Sequence, residues 1–359
     1  MQRAVHIVAS GLLCARGTSP TAVGEALWMG ECSSEPRRLG ERQFPYFALP
    51  LAEYDWSMRA EQAVRHVGAQ LGPYAPNTPL FVASSSFQIG LFEQRGAPFD
   101  MPIGSASFSR QIANWLALCG PRTSFSTACT SGFSAMDAAT SLIAAGLIDD
   151  AIVVGIELAN DSTLAGFAAM ELLSRTACRP FDARRDGLVL GEAVAAIKLS
   201  ATPGPWKIAG IASGLDSYST TGPDPEGGPI AAVISDSLCA AGTRPASIDL
   251  IKLQAAGSPG SDLAEANALR QVFGEAMPPL LSLKPALGHT LGASGIAELA
   301  ALLASLDAGQ IPATANCEEI DAAIGLSPTT NRSNAVVRRA LLNLIGFGGG
   351  LASLVVERC

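Results

Sequence analysis

A layered α/β fold is what this sequence predicts, on three observations. Short apolar, β-prone runs alternate with longer helix-like stretches along the chain. Small residues abound, 36 glycines among them, and they let helices approach sheets closely. Of 359 residues, 48% are hydrophobic and 16% charged, ample material for a large core.

The chain opens with Arg3 and a mostly apolar run to Ala15. In outline this is like a short signal sequence, but it lacks the length and the small-residue cleavage pattern, and a polar turn follows at residues 16–20. A first strand over 5–9 is the better reading. Leu12-Leu13-Cys14 lacks the small residue expected before a lipidated cysteine. A short helix is expected over 21–29, and 32–53 reads as irregular and carries Arg37, Arg38 and Arg42. Apolar spacing over 60–71, ended by Gly72, predicts an amphipathic helix. Residues 80–84 are strand-like, and 108–118 are helix-like before Gly120-Pro121.

The stretch Phe125-Ser126-Thr127-Ala128-Cys129-Thr130-Ser131-Gly132-Phe133 organises the rest. A β-prone segment ends at a cysteine, and the low-polarity run 130–145, closed by Gly146, reads as a buried helix with almost no charged face. Cys129 then sits at a strand-to-helix turn, where the unpaired N–H groups of the first helical turn favour a thiolate and hence a nucleophile. Taken alone, it reads more readily as one more buried free cysteine.

Further on, 151–155 is a continuous apolar run of the kind found in buried parallel strands, with Glu157 just beyond it. A strand is expected over 193–199. Pro203-Gly204-Pro205 breaks any element and divides the chain into 1–205 and 206–359. After it the order restarts: strand 206–212, helix 230–241, strand 248–254, helix 262–273. A glycine-rich loop, 283–295, feeds an apolar helix over 296–306.

Several motifs resemble one family in the right order. Thr127-Ala128-Cys129-Thr130-Ser131-Gly132 is similar to the Thr-Ala-Cys-Ser-Ser-Gly active-site motif of the β-ketoacyl-acyl carrier protein synthases. Residues 179–192, Arg-Pro-Phe-Asp-Ala-Arg-Arg-Asp-Gly-Leu-Val-Leu-Gly-Glu, resemble that family's Arg-Pro-Phe-Asp-x-x-Arg-Asp-Gly-Phe-Val-x-Gly-Glu stretch. Lys284 and His289 fall in a match to Lys-x-x-x-Gly-His-x-x-x-Ala-x-Gly. Asn343 to Leu351 resembles Asn-x-Phe-Gly-Phe-Gly-Gly-Thr-Asn, with Phe347, Gly348 and Gly349 in the glycine turn. Alone, the last two would read as a solvated glycine turn and a plain loop between strands.

The resemblance implies a thiolase-like fold, two duplicated α/β halves in a layered α-β-α-β-α arrangement. No letter-by-letter repeat is visible. It implies that Cys129 is the nucleophile, that His289 faces it, that Lys284 is the active-site lysine, and that the turn at Phe347, Gly348 and Gly349 serves the thioester oxygen and the acyl pocket. The departure lies at 253–265. Where the family reads His-Gly-Thr-x-Thr-Pro-x-x-Asp-x-x-Glu, aligning Pro259, Asp262 and Glu265 puts Gln254 in the place of the first catalytic histidine. A glutamine amide donates a hydrogen bond but carries no proton at neutral pH. Of the other two histidines, His6 in the first strand and His66 in a helix read as structural or surface residues.

The implied activity is acylation of Cys129 and condensation with a malonyl thioester. The alternatives are a subunit like the chain-length factors of two-subunit synthases, or an acyltransferase that does not decarboxylate. No cofactor of the chain's own is implied, because substrates arrive on the phosphopantetheine of an acyl carrier protein. A homodimer or a heterodimer with a related ketosynthase is expected. The formal charge of −8 gives no support to nucleic-acid binding, so carrier docking calls for a local basic cluster, with Arg110, Arg184 and Arg185 as candidates. Eight cysteines without paired Cys-x-x-Cys clusters argue against disulfides and zinc and fit a reducing cytoplasm. No apolar run reaches membrane-spanning length. Neither a Gly-x-Ser-x-Gly elbow nor a Gly-x-Gly-x-x-Gly loop between a strand and a helix is present. The chain is short for the family, and 32–81 is where material is missing.

Overall fold

The computed structural model describes residues 3–96, 104–274 and 277–359. From the N-terminus the elements are β1 (His6–Cys14), α1 (Pro20–Met29), β2 (Glu35–Leu39), β3 (Arg42–Phe47), α2 (Trp56–Ala69), β4 (Leu80–Ala83), α3 (Ile89–Arg95), α4 (Gly104–Trp115), β5 (Arg122–Phe125), α5 (Ser131–Ala144), β6 (Asp150–Glu157), α6 (Asp161–Ala169), β7 (Leu190–Gly191) and β8 (Ala193–Ser200). There follow β9 (Trp206–Leu215), α7 (Gly228–Ala240), β10 (Leu250–Lys252), α8 (Pro259–Phe273), β11 (Leu280–Leu281), α9 (Lys284–Leu287), α10 (Ser294–Asp307), β12 (Gln310–Ile311), β13 (Ser333–Asn334), β14 (Arg339–Ile345) and β15 (Gly350–Arg358).

Ten strands form one sheet in the order β11-β10-β14-β15-β9-β1-β8-β6-β4-β5. The order is the same sequence of moves made twice. In each set of five, the third strand in chain order lies outermost, followed inward by the second, fourth, fifth and first. The pairings repeat too: β4 is parallel to β5 and β6, as β10 is to β11 and β14, and the remaining neighbours are antiparallel. The two sets meet where β1 pairs with β9 through His6–Lys207 and Ile7–Trp206.

Period-two alternation explains the layers. In β6, Ala151 and Val153 face a central cluster shared with α5 and α10, while Ile152, Val154 and Ile156 face a second cluster with α2 and α4. In β14, Ala340, Leu342 and Leu344 face the same centre, and Leu341 and Ile345 face α7 and α8. Both faces are buried, and the stack reads α-β-α-β-α, the arrangement the motifs implied. Glycine permits the close approach at its middle: a Cβ on Gly132 of α5 would lie 3.1 Å from Ile296 Cγ1, and one on Gly155 of β6 would lie 3.1 Å from Ala293 Cα.

Three expectations need correction. Residues 32–53 are not irregular, since β2 and β3 form a hairpin whose end, Tyr46–Phe47, pairs with β7. Prolines and arginines mask its alternation, yet Phe44 and Tyr46, two positions apart, are buried in a cluster with Leu39 packed against it, and Phe47 is buried too. The first strand runs on through Ser10 and Gly11 to Cys14, because Gly11 is a packing residue against α2 whose added Cβ would lie 3.0 Å from Val67 Cγ1. The run 151–155 belongs to a strand that is parallel only to β4 and antiparallel to β8.

Candidate active site

The turn that carries Cys129 is built by hydroxyls. Ser131 Oγ donates to Ala128 O (2.6 Å), Thr130 Oγ1 donates to Thr127 O (2.7 Å), and Thr127 N donates to Ser131 Oγ (2.9 Å). These close the corner between β5 and α5 with Ala128 at φ +51, a left-handed conformation that costs a non-glycine residue about 1 kcal/mol or more. The corner holds Cys129, 5% exposed, against the second half of the molecule.

His289 Nε2 lies 3.1 Å from Cys129 Sγ. Its other nitrogen, Nδ1, accepts from Leu291 N–H (3.3 Å) and lies 3.0 Å from Ser294 Oγ. A backbone donor at Nδ1 leaves the neutral ring's proton on Nε2, aimed at the sulfur. Burial and the nearby Lys284 push the imidazole down to about 3, so it stays neutral. Burial also pushes the Cys129 thiol up to about 11 despite Lys284 and the N–H groups of Phe347 and of Cys129 itself, which favour the thiolate. The expected resting thiolate is therefore corrected: desolvation outweighs the helix N-terminus, and the resting pair is a neutral thiol beside a neutral imidazole.

Gln254 lines the same cavity as Cys129 and His289, a slot of about 40 Å³ that also touches Phe347, Asp262 and Glu265. Its side chain is 5% exposed, and its Oε1 is buried with no hydrogen-bond partner. Its backbone is held firmly: Glu265 accepts from the N–H groups of Gln254 (2.7 Å) and Ala255 (2.8 Å) and from Asn343 Nδ2 (2.8 Å). Asp262 accepts from Ala256 N (3.1 Å), Gly257 N (3.2 Å) and Phe181 N (3.1 Å). Burial pushes Asp262 up to about 7 and raises Glu265 as well. Lys284 stands behind His289, fully buried and ion-paired with Glu298, and is absent from the cavity wall.

Phe347 separates this slot from a second, apolar cavity of about 250 Å³ lined by Ala128, Cys129, Phe167, Met170 and Leu291. Its ring stacks on Phe167 at 5.2 Å and 17°. Gly348 and Gly349, at φ +73 and +79, form the turn. Gly348 N donates to Thr220 O and Asp216 N to Gly349 O, both 2.8 Å, and a Cβ on Gly349 would lie 2.9 Å from the Asp216 carbonyl carbon.

Sequence reasoning missed Phe167, Lys252 and Glu298. The two charged ones left a signal: a lysine inside the apolar run 250–253, and a single acid inside the apolar helix 294–306. Glu157, noted only as following a strand, accepts from Ser85 N (2.9 Å), Ser86 N (2.9 Å) and Gly292 N (3.0 Å), and so ties the loop after β4 to the turn after His289. The three arginines expected at a basic cluster differ in exposure, since Arg110 and Arg184 are exposed and Arg185 is not. Arg185 is buried against Asp321 (2.6 Å), Arg184 pairs with Asp182 and Glu318, and Arg110 sits beside the edge strand β5 with Arg122. His66 hydrogen-bonds to Thr18 O and His6 lies beside Cys359, both apart from the cavity. Among the described residues no helix is long and apolar enough to cross a membrane.

Residues 54–202 match the family model of the beta-ketoacyl synthase N-terminal domain, and 207–318 match that of the beta-ketoacyl synthase C-terminal domain. The 3-oxoacyl-(acyl-carrier-protein) synthase 2 of Coxiella burnetii is 29% identical over 344 residues, 88% of this chain and 82% of that protein. Its namesake from Synechocystis is 31% identical over 283 residues, 74% and 68% of the two. Among solved structures, a chain of the complex between a ketosynthase (ApeO) and its chain length factor (ApeC) from Xenorhabdus doucetiae superposes with a TM-score of 0.88 at 26% identity, covering 99% of this chain and 98% of that one. A beta-ketoacyl synthase from Burkholderia phymatum gives 0.84 at 24% identity over the full length of both, a likeness of fold. With a sheet made twice over, a cysteine and a histidine in contact across the two halves, and relatives matched along most of its length, the chain belongs to the β-ketoacyl synthase family, and its fold is thiolase-like.

Proposed function

We propose that this protein is an atypical condensing enzyme of fatty-acid or polyketide-type biosynthesis, working with Cys129, Gln254 and His289. The observation that carries the reading is the meeting of these three side chains at one buried cavity, with His289 Nε2 3.1 Å from the sulfur. Cys129 sulfur attacks the carbonyl of an acyl thioester, and the phosphopantetheine thiol of the carrier protein leaves with the proton. The acyl chain then occupies the apolar cavity behind Phe347, and the N–H groups of Cys129 and Phe347 receive the thioester oxygen. Malonyl thioester loses carbon dioxide, the carbon–carbon bond electrons pass into an enolate, and the enolate carbon attacks the acyl carbonyl and expels the Cys129 thiolate, which takes up a proton from solvent to restore the resting thiol.

Enolate stabilisation is where Gln254 matters. The Nε2–H of His289 and the amide N–H of Gln254 are both donors, and neither has to ionise for this step. Asp262 and Glu265 serve by fixing the Gln254 loop, and Lys284 by keeping the imidazole neutral. No cofactor of the chain's own is needed, and a reducing cytoplasm keeps the thiol free. The exposed edge of β5 beside the Cys129 turn favours a dimer with a copy of itself or a related ketosynthase.

The test is to incubate the protein with acyl and malonyl carrier proteins and look for the elongated β-ketoacyl product by mass spectrometry. Product from the wild type and none from Cys129→Ala supports the reading. Acyl-Cys129 that turns over without release of carbon dioxide would replace it with a non-decarboxylating acyltransferase. A second reading, a chain-length-factor-like subunit, is favoured by the likeness to a chain of a ketosynthase and chain length factor complex. Product only in the presence of a co-purifying complete ketosynthase would establish it.

A further inference from the structure

Two fully buried lysines share one carboxylate beneath the site. Lys284 Nζ pairs with Glu298 Oε1, and Lys252 Nζ lies 2.5 Å from Glu298 Oε2. The catalytic chemistry proposed above gives Lys252 no part, yet a second buried ammonium is expensive to keep without one. Its connections are specific. Lys252 Nζ also donates to Asn343 O (3.3 Å), Asn343 Nδ2 donates to Glu265, and Glu265 accepts the N–H groups of Gln254 and Ala255. Glu298 belongs to α10, the helix that follows His289, and Asn343 lies in β14, the strand that leads into the Phe347 turn.

We propose that Lys252 is a positioning residue, which ties the Gln254 loop and the Phe347 turn to the helix behind His289. Without its ammonium, Asn343 and Glu265 remain bonded to each other but lose their link to Glu298, and the donors on the three loops are no longer held in one frame. The charged groups around it are Glu298 from α10, Lys284 from α9 and Glu265 from α8. Burial first, and Lys284 with it, bring Lys252 down to about 8 against the pull of Glu298, so its charge is present on most molecules at neutral pH and the ion pair with Glu298 is lost as the lysine gives up its proton above about 8. The inference rests on the proposed function only in calling the site catalytic.

Hydrogen exchange of the whole protein, which needs no turnover, tests it. In Lys252→Met, Glu298 keeps Lys284, so no buried carboxylate is left unpaired. Amides at 254–257 and 346–349 are expected to exchange about tenfold faster than in wild type, with α2, α5 and β6 unchanged. Protection factors of the wild type should drop at the same two segments between about pH 7 and about pH 9, a readout that also serves if the variant fails to fold. Unchanged protection at both segments, or an even loss across the sheet, would overturn the proposal. A wild type that never forms acyl-Cys129 would count against the proposed function, while the exchange pattern alone decides on Lys252.

Discussion

The two halves of the sheet put a strand-to-helix connection in the same place and use it differently. After the third strand of the first half comes Cys129 and α5; after the third strand of the second comes His289 and α10. The first connection lies at an open border, with Arg122 and Thr123 of β5 exposed and α5 buried on one side only. The second is enclosed: β11 is buried, and α10 is buried from Ser294 to Leu303. On the proposed function, Cys129 as nucleophile has to meet a chain delivered from outside, whereas His289 as hydrogen-bond donor gains strength from being dry and fixed. That difference predicts which substitutions abolish chemistry and which loosen the frame.

The largest effect belongs to the open side. Cys129→Ala should remove acyl-enzyme formation altogether, a loss of at least about a thousandfold, since no other group at the cavity forms the thioester. Intact mass after incubation with an acyl carrier protein reads it directly. Residual acylation in the variant would break the assignment of roles to the two connections.

On the enclosed side the effects should be graded. His289→Ala removes a fixed donor and should cost about a hundredfold to a thousandfold in malonyl decarboxylation. Acylation of Cys129 should fall less, because the N–H groups of Cys129 and Phe347 remain. Gln254→His supplies an imidazole at the other donor position, and we expect decarboxylation to rise by about tenfold or more. Carbon dioxide release from malonyl carrier protein measures both. A Gln254→His variant no faster than wild type would mean that the amide is already sufficient.

Much of this was legible in the letters, and for a physical reason. Cys129, Gln254, His289 and Phe347 stand on connections at strand ends, where glycines, prolines and small hydroxyls make short motifs that constrain geometry locally. The frame was harder to read. Residues 35–47 carry Pro36, Pro45 and three arginines, which mask a short alternation at Phe44 and Tyr46, yet they pair as a hairpin with those two rings buried. The Cys129 acidity was misjudged because helix N-terminal N–H groups are visible in sequence and desolvation is not. Arg185 looked as available as Arg184 because Asp321, which pairs with it and helps bury it, is more than a hundred residues away along the chain. Lys252 and Glu298 are oddities in apolar runs, but only the fold shows that they meet.

The comparison sharpens again at two buried carboxylates that hold loops on opposite sides. Glu157 gathers the N–H groups of Ser85, Ser86 and Gly292, and Glu265 gathers those of Gln254 and Ala255 with the Asn343 amide. Replacing Glu265 by alanine strands three donors, and replacing Glu157 strands five, because the Ser85 and Ser86 hydroxyls donate to it too; each variant should lose about 3–5 kcal/mol in urea unfolding. The two variants should differ in where the damage shows. Glu265→Ala loosens Gln254 and should depress decarboxylation beyond its effect on acylation, whereas Glu157→Ala loosens the Ser85 side of the apolar cavity and should depress both alike.

The smallest effect is a slope. Asp262 is fully buried, and its folded-state pKa, about 7, lies above the ordinary carboxylate value of 3.8. Between those values the native protein holds a proton that the unfolded chain has released, so the contribution of Asp262 to stability is complete below about pH 4 and disappears as pH rises through about 7. Asp262→Asn keeps one acceptor oxygen, enough for the N–H groups of Gly257 and Phe181 that share a single carboxylate oxygen in the wild type, and has nothing to titrate. Urea midpoints measured at about pH 5, 6, 7 and 8 should therefore fall with pH more steeply in wild type than in the variant. Parallel curves would mean that Asp262 stays ionised throughout, held by the three N–H groups that converge on it and by Arg185 nearby, and the enclosed half would then carry its charge as firmly as its hydrogen bonds.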